Sequence, residues 1–388
     1  MTSSPTPAAV SCCPGTAGLA RLMEILEHVP DPRARRGVRH PCVGLVAAGI
    51  AAVVTGARSF AAIAEWVADQ EPMTLTTLGL TGSRPPSEPT LRRLLTAIDA
   101  EALDRVLGAW MWTRTTTTSA GRRVLAIDGK TVRGAHSPRA SAGEPRGARG
   151  VAPHLVAAYD HDTGTVLGQV AVAAKSNEIP AVQQLLDHFD LAGTVVTVDA
   201  MHTQTETAEQ ILTAGGDYVF TVKGNQPTLH VACKALPWNQ VPGHRSTQTG
   251  HGRRATRTIK VLAAPAWIGF TGAAQVAQLR RTTTRAGKKT VEVVYLVTSA
   301  DHRATDPATL AGWVQDHWGI ENRLHWVRDV SFDEDRSQVR TGNAPRVMAT
   351  FRNTVISLLR LTGATNIATA LRHHARHPEQ VLNLLLTS

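Results

Sequence analysis

The sequence predicts a mixed α/β sheet region preceded by an all-helical one. Three observations carry that expectation. Apolar residues recur at helical spacing through residues 17–114. A polar linker, "TRTTTTSAGRR", then breaks the pattern near residue 120. Beyond it, apolar runs of strand length appear at 123–127, 154–160 and 166–173, followed by helix and strand in alternation.

The elements follow in order. Residues 1–16 are small, polar and Pro-rich, and read as a disordered tail. Residues 17–118 form the helical region. "GLARLMEILEHV" is amphipathic and stops at "PDPRARRGVRHP", a Pro-bounded loop carrying Arg33, Arg35, Arg36, Arg39 and His40. The apolar stretch from Cys42 to Val54 is rich in Ala, Gly and Val, which suits a helix buried in a core. It falls short of the roughly 20 residues a bilayer requires, so no membrane contact is expected. "SFAAIAEWVADQ" reads as a helix. "PSEPTLRRLLTAID" carries a helix start, with Ser87 as N-cap, Pro89 in the first turn, and Arg92 and Arg93 inside. A short helix, a turn and a helix with basic residues near its start resemble a helix-turn-helix. Arg92 and Arg93 are its DNA-contact candidates, with a solvated basic face as the plainer reading, and Arg36 on the preceding loop is a further DNA-contact candidate.

Residues 119–225 hold the first strands. "NEIPAVQQLLDHFD" reads as a helix, "TVVTVDA" as a strand, "TQTETAEQILTAG" as a helix ending at Gly215, and "DYVFTVK" as a strand. Residues 226–290 are irregular and rich in Gly, Thr, Arg and Pro. In 291–388, "VEVVYLVTS" resumes the strands, and the chain is helical from 307 onward.

Composition narrows the partner. The chain has 388 residues, enough for two or three domains. Net charge is +10, and only seven of the 41 basic residues are lysine. Arginine grips phosphate in a bidentate fork, so this balance points to nucleic acid. The four cysteines, Cys12, Cys13, Cys42 and Cys233, form no C-x-x-C pair. Reduced thiols and a cytoplasmic setting follow, and a zinc site does not. The first basic residue is Arg21, so no charged segment opens a signal peptide.

Three carboxylates stand in settings that suit chemistry. Asp128 ends the apolar run "VLAIDGK", and Asp199 ends "TVVTVDAMHTQ". Ligands of α/β sheets gather beyond the carboxyl ends of strands. A third carboxylate on a late helix completes a set that holds two divalent cations, which clamp both oxygens of an in-line phosphoryl displacement. In a basic chain this points to an enzyme that cuts and rejoins DNA. Glu321 in "DHWGIENRLHW" shares a helix face with His317, His325 and Arg328. Asp329, Asp333, Glu334 and Asp335 compete for the role, and otherwise balance Arg328, Arg336 and Arg340.

The neighbours extend the set. Lys130 and Arg133 follow Asp128, and His202 and Gln204 follow Asp199. Lys175, Asn177 and Glu178 lie at one strand-to-helix turn, and Lys223, Asn225 and Gln226 at another strand end. The lysines can reach phosphate or lie solvated, and Glu178 suits a helix first turn. Trp313, Trp318 and Trp326 read as core. Trp238 and Trp267 are candidates to stack on an unpaired base. His373 and His377 read as a solvated helix.

"PDPRARRGVRHP", "GARSFAAIAEW", "PSEPTLRRLL", "LAIDGKTVRGA", "KSNEIPAV", "VVTVDAMHTQ", "YVFTVKGNQPTL", "HWGIENRLHWVRDVSFDEDRSQVRTGNAPRVMATFRN" and "GATNIATALRHHARHP" resemble the motifs of bacterial insertion-sequence transposases of the ISAs type, which include the H-repeat-associated proteins. The resemblance runs from about residue 20 to 385. It implies the DDE superfamily, a ribonuclease H-like core with a β-rich insertion at 226–290, and Asp128, Asp199 and Glu321 as catalytic, metal-binding triad. It implies Mg²⁺, with Mn²⁺ as a substitute, and double-stranded DNA at element ends and target. A homodimer on DNA and a bacterial, nucleoid-associated setting are also implied. The phosphate-contact set is Arg36, Arg92, Arg93, Lys130, Arg133, Lys175, His202, Lys223, Arg253, His317, Arg323, His325, Arg328 and Arg336. Two departures stand out. Where relatives often carry Tyr, Arg and Lys around the catalytic Glu, this chain has Val314, His317 and Arg328. After "HGR" at 251–253, Ala255 stands near a usually acidic position. A non-catalytic DNA-binding relative, or a nuclease without strand transfer, are the other readings.

Overall fold

The computed structural model describes residues 22–36, 38–82, 84–115, 122–136, 152–173, 176–250 and 252–387. The expected tail at 1–16, Cys12, Cys13, Lys175 and His251 lie outside the described residues. Six helices come first: α1 (Leu22–Leu26), α2 (Cys42–Val54), α3 (Phe60–Ala68), α4 (Pro72–Thr77), α5 (Glu88–Ala97) and α6 (Ala100–Arg114). Helix α2 is the apolar stretch, and all of it but Val43 is buried. It needs no polar face because other helices surround it. Ser59 caps α3 by accepting from the Ala62 N–H, and Asp99 caps α6 by accepting from Glu101 and Ala102. Ser87 stands at the N-cap of α5, but its hydroxyl pairs with Thr90 Oγ1 instead of a backbone N–H.

The sheet then forms. Its strands are β1 (Arg123–Thr131), β2 (His154–Asp160), β3 (Val166–Ala171), β4 (Thr194–Val198) and β5 (Asp217–Val222). Helix α7 (Glu178–Leu186) precedes β4, α8 (Thr205–Thr213) precedes β5, and α9 (Pro227–Lys234) follows it. Four more strands complete it: β6 (Gly243–Gly250), β7 (Arg253–Ala263), β8 (Gln275–Arg285) and β9 (Lys288–Thr298). Among the described residues the order is β3-β2-β1-β4-β5-β9-β8-β7-β6. Strands β1, β4 and β5 are parallel, and every other pairing is antiparallel. Helix α8 stops at Gly215, whose φ of 76° is the left-handed conformation that glycine supplies.

The segment read as irregular, 226–290, is therefore the helix α9 followed by extended chain from Gly243. Strands β7, β8 and β9 each run 11 residues, about 35 Å at the rise of a strand. Their roots bury Ile259, Ala277 and Leu296 with Leu310. Their outer halves are rich in Thr, Arg and Lys, which a solvated β-ribbon accepts although no apolar run marks the strands.

The last helices are α10 (Pro307–His317), a π-helical segment (Ile320–His325), α11 (Trp326–Val330), α12 (Ala344–Leu361), α13 (Ile367–Arg376) and α14 (Glu379–Thr387). Helix α12 is almost wholly buried and packs on α2, α5, α6 and β3. One hydrophobic core thus runs from Leu22 to Leu385 and joins the first helices to the sheet.

A buried polar network crosses that core. Glu334 is fully buried, with Oε2 2.9 Å from Arg328 Nε and Oε1 2.7 Å from Arg352 Nη1. Burial alone drives this carboxyl upward, but the two guanidinium charges outweigh it and hold it at about 2. Arg328 also reaches Gln169 on β3, Asn353 on α12 bonds the same Gln169, and Gln169 reaches Asp104 on α6. The helix carrying Glu321 is in this way tied to the sheet edge and the first helices.

Candidate active site

The site begins with strand register. Strands β1 and β4 run parallel, and their last pair is Ile127 with Val198. Asp128 and Asp199 are the next residue on each, so they stand side by side where the parallel ladder ends. Neighbouring strands lie about 5 Å apart, which puts the two carboxylates within mutual reach. Strand β1 continues past Asp128 because its other edge stays paired to β2 as far as Thr131 and His154.

The two carboxylates are held differently. Asp128 Oδ1 accepts from the Gly129 N–H at 2.8 Å, and Oδ2 lies 3.5 Å from His325 Nδ1. Burial, and then the charges of Asp199 and Glu178, push its carboxyl up to about 6 against the Gly129 bond and His317. Asp199 is about half exposed. Its carboxyl is lowered, chiefly by His317, whose Nε2 lies 3.5 Å away, with help from the Lys223 and His202 charges. His317 Nδ1 is fixed in turn by Thr197 Oγ1 at 2.9 Å, and Thr197 donates to the Leu125 carbonyl.

Glu321 lies on the helix that crosses these strand ends. His317, four residues earlier, touches Asp199, and His325, four residues later, touches Asp128. Glu321 thus sits between two residues that reach the aspartates, in an exposed position on the π-helical segment. Such wide turns recur at functional sites because they re-aim side chains. Burial and the Arg328 and Lys130 charges lower His325 to about 3, so its approach to Asp128 is a polar contact between a neutral imidazole and a carboxylate.

The donor set suits a hard dication. Asp128 and Asp199 offer carboxylate oxygens, the ligands Mg²⁺ takes, and the raised Asp128 carboxyl marks a negative charge that an added cation offsets. Among the described residues, no group of three or more His, Cys, Asp or Glu stands together in metal-holding geometry. The aspartate pair is assembled, and the Glu321 carboxylate is not drawn into it.

Other expected residues divide by exposure. Arg36, Arg92, Arg93, Arg133, Lys223, Arg253 and Arg336 are exposed and Arg323 is half-buried. The expected phosphate role of Arg328 is corrected, because its guanidinium is fully buried on Glu334. His202 is likewise buried and bonds Glu178. Lys130 is buried with Nζ 2.7 Å from Asp329. His317 and His325 are also buried and face the aspartates, not a phosphate on the surface. Trp318 and Trp326 were expected in the core but are exposed, because their helix lies across the sheet end at the surface. Trp238 is buried and donates to the Cys233 carbonyl, which removes it as a stacking platform, whereas Trp267 is exposed.

Sequence reasoning missed the group beside Asp128. Glu178 accepts from His154 at 2.7 Å and contacts His202 at 3.2 Å. Gly129 makes room for it, since a Cβ there would lie 2.5 Å from both Glu178 Oε2 and His154 Nε2. Gly129→Ala is expected to destabilise the protein by about 1–3 kcal/mol through this overlap. Urea unfolding measures it, and unchanged stability would show that the space beside Gly129 is not closed.

A family model described as the transposase DDE domain matches residues 119–358, and one described as DDE_Tnp_1-associated matches residues 23–111. The chain belongs to the DDE transposase family. Members of that family generally use divalent metal ions. The transposase is similar to "Putative transposase YncI" of Escherichia coli O157:H7, 31% identical over 353 residues, 87% of each chain. It is similar to "H repeat-associated putative transposase YhhI" of Escherichia coli strain K12, 31% identical over 356 residues, 88% of this chain and 90% of that one. The cryo-EM structure of a piggyBac transposase synaptic complex with hairpin DNA aligns at TM-score 0.43 and 11% identity, over 90% of this chain and 75% of that chain, a likeness too loose to support a conclusion.

Proposed function

We propose that this transposase cleaves the ends of an insertion sequence and transfers the freed 3′-OH strands to target DNA. Asp128, Asp199 and Glu321 are its metal-holding carboxylates, with Mg²⁺ or Mn²⁺ as the cation. The observation that carries the reading is the register of β1 and β4, which sets Asp128 beside Asp199 beneath the helix of Glu321. Strand order 3-2-1-4-5, with β1, β4 and β5 parallel, supports a ribonuclease H-like core. Strands β6 to β9 are its insertion, and residues 17–118 its DNA-binding region.

When bound, the cations supply charge to the attacking and leaving oxygens of the scissile phosphate. The chain's own residues do the positioning. Thr197 fixes His317, which in turn orients Asp199, and Lys223 stands close enough to lower the Asp199 carboxyl and to meet a phosphate. A homodimer on DNA, pairing two ends, completes the reading.

The insertion offers a phosphate track. At its tip, Arg253 lies opposite Arg285, and Arg285 opposite Lys288. Like charges directly opposite repel, and a polyanion relieves that repulsion. The triple variant R253Q/R285Q/K288Q is expected to reduce the slope of log binding constant against log salt by about two to three. Filter binding across a salt series measures it, and an unchanged slope would remove the arm from the DNA path.

The function itself is tested with purified protein, DNA carrying the element's ends, target plasmid and Mg²⁺. Cleaved ends joined to target are the expected products. Cleavage without joining would leave a nuclease, and a band shift with no cleavage under any divalent ion would leave a DNA-binding relative.

A further inference from the structure

We propose that Glu178 is a positioning residue of the active site, clamping the Asp128 strand end to the Asp199 turn so that the two aspartates keep the separation a divalent cation requires. The inference rests on the metal-site reading above and adds a residue to it. Glu178 opens α7, with Asn177 capping the helix through the Ile179 N–H at 3.0 Å. Its carboxylate therefore leaves a fixed helix end and faces the sheet.

Each oxygen engages a different half of the site. Oε1 lies 2.7 Å from Nε2 of His154, and His154 Nδ1 lies 2.8 Å from Thr131 Oγ1 on β1, three residues past Asp128. Oε2 lies 3.2 Å from Nε2 of His202, which ends the short turn that begins just after Asp199. One carboxylate thus ties the β1 end to the β4 end. Gly129 is the adjoining residue that lets it come so close. His202 is 1% exposed, so its imidazole has no solvent alternative to this partner.

The arrangement differs from a simple helix-start carboxylate. A first-turn glutamate serving only the helix dipole needs no side-chain partner. Here both oxygens are committed to imidazoles from two other elements. Partners that orient metal-holding groups typically change metal affinity about 10–100-fold when removed.

The test uses the full-length protein without DNA, with Mn²⁺ as the probe read by electron paramagnetic resonance. Thermal unfolding without metal is followed in parallel. Glu178→Ala and Glu178→Asp are both expected to weaken Mn²⁺ binding about tenfold or more, since neither side chain spans both imidazoles. The shorter Asp keeps the charge, so its failure assigns the effect to bridging. Folded Glu178 variants that bind Mn²⁺ as the parent does would overturn the inference. So would a normal Asp variant beside a defective Ala variant, which would assign the effect to charge alone. Asp128→Asn separates the two readings. If it too binds Mn²⁺ like the parent, the metal-site reading fails. If it loses binding while the Glu178 variants keep it, only the clamp fails.

Discussion

Glu334→Ala is expected to destabilise the protein by about 3–5 kcal/mol, which is the cost of breaking a buried ion pair by removing one partner. The substitution leaves Arg328 and Arg352 facing each other, both fully buried, with no carboxylate between them. Glu334 bonds both guanidinium groups at 2.7–2.9 Å, and solvent has no access to replace it. The loss propagates, because Arg328 lies three residues beyond His325 and anchors the helix that passes over Asp128 and Asp199. The pH dependence follows from the same residue. Its folded carboxyl is held at about 2, below the ordinary 4.5. Its contribution is therefore present above about 4.5 and lost as pH falls toward 2. Urea unfolding of parent and variant at pH 7 measures the difference. A change below 1 kcal/mol would mean that the two arginines find other partners.

Asp128→Asn is expected to have the opposite effect on stability. Burial and the neighbouring carboxylates push Asp128 up to about 6, so its ionised form is disfavoured in the folded protein. For a group raised in this way, the protonated form's advantage is present below about 4 and is lost as pH rises through about 6. Asparagine carries no charge at any pH. The variant should match the parent near pH 4 and exceed it by roughly 2–3 kcal/mol at pH 8 in chelator. Mg²⁺ should then stabilise the parent and leave the variant unchanged, since ligand binding shifts only the form that binds. A variant less stable than the parent at pH 8 without metal would show that the Asp128 carboxylate contributes structural bonds that outweigh its desolvation.

Much of the fold was legible because its signals are local. The Cys42–Val54 helix, the strands ending at Asp128 and Asp199, and the helix stop at Gly215 each follow from apolar runs or turn chemistry within a few residues. The aspartate pair was legible for the same reason, since a run of β-branched residues that ends in Asp places it at a strand tip. The third carboxylate was not separable on local grounds. Glu321, Asp329, Asp333, Glu334 and Asp335 share one acidic stretch, and the family resemblance, not local chemistry, singled out Glu321; the fold adds what the others touch. Glu334 is buried between Arg328 and Arg352, Asp329 meets Lys130, and Asp333 meets Arg58 and Arg336. Each therefore has a cationic partner within the chain. Glu178 was read only as a helix first-turn residue because its partners, His154 and His202, lie on other elements well before and after it in sequence. Arg328 was misassigned because a helix-face argument shows which residues align, and does not show whether that face meets solvent or core.

The most direct test is strand cleavage of element-end DNA under Mg²⁺ by four proteins: Asp128→Asn, Asp199→Asn, Glu321→Gln and, as a control from the competing acidic stretch, Asp335→Asn. The first three should fall by about a thousandfold or more, equivalent to the several kcal/mol of charge stabilisation a held cation supplies, while binding the same DNA. Asp335→Asn should cleave within a few-fold of the parent. Cleavage by Glu321→Gln at the parent's rate, or its loss in Asp335→Asn alone, would contradict the assignment of Asp128, Asp199 and Glu321 as one catalytic set.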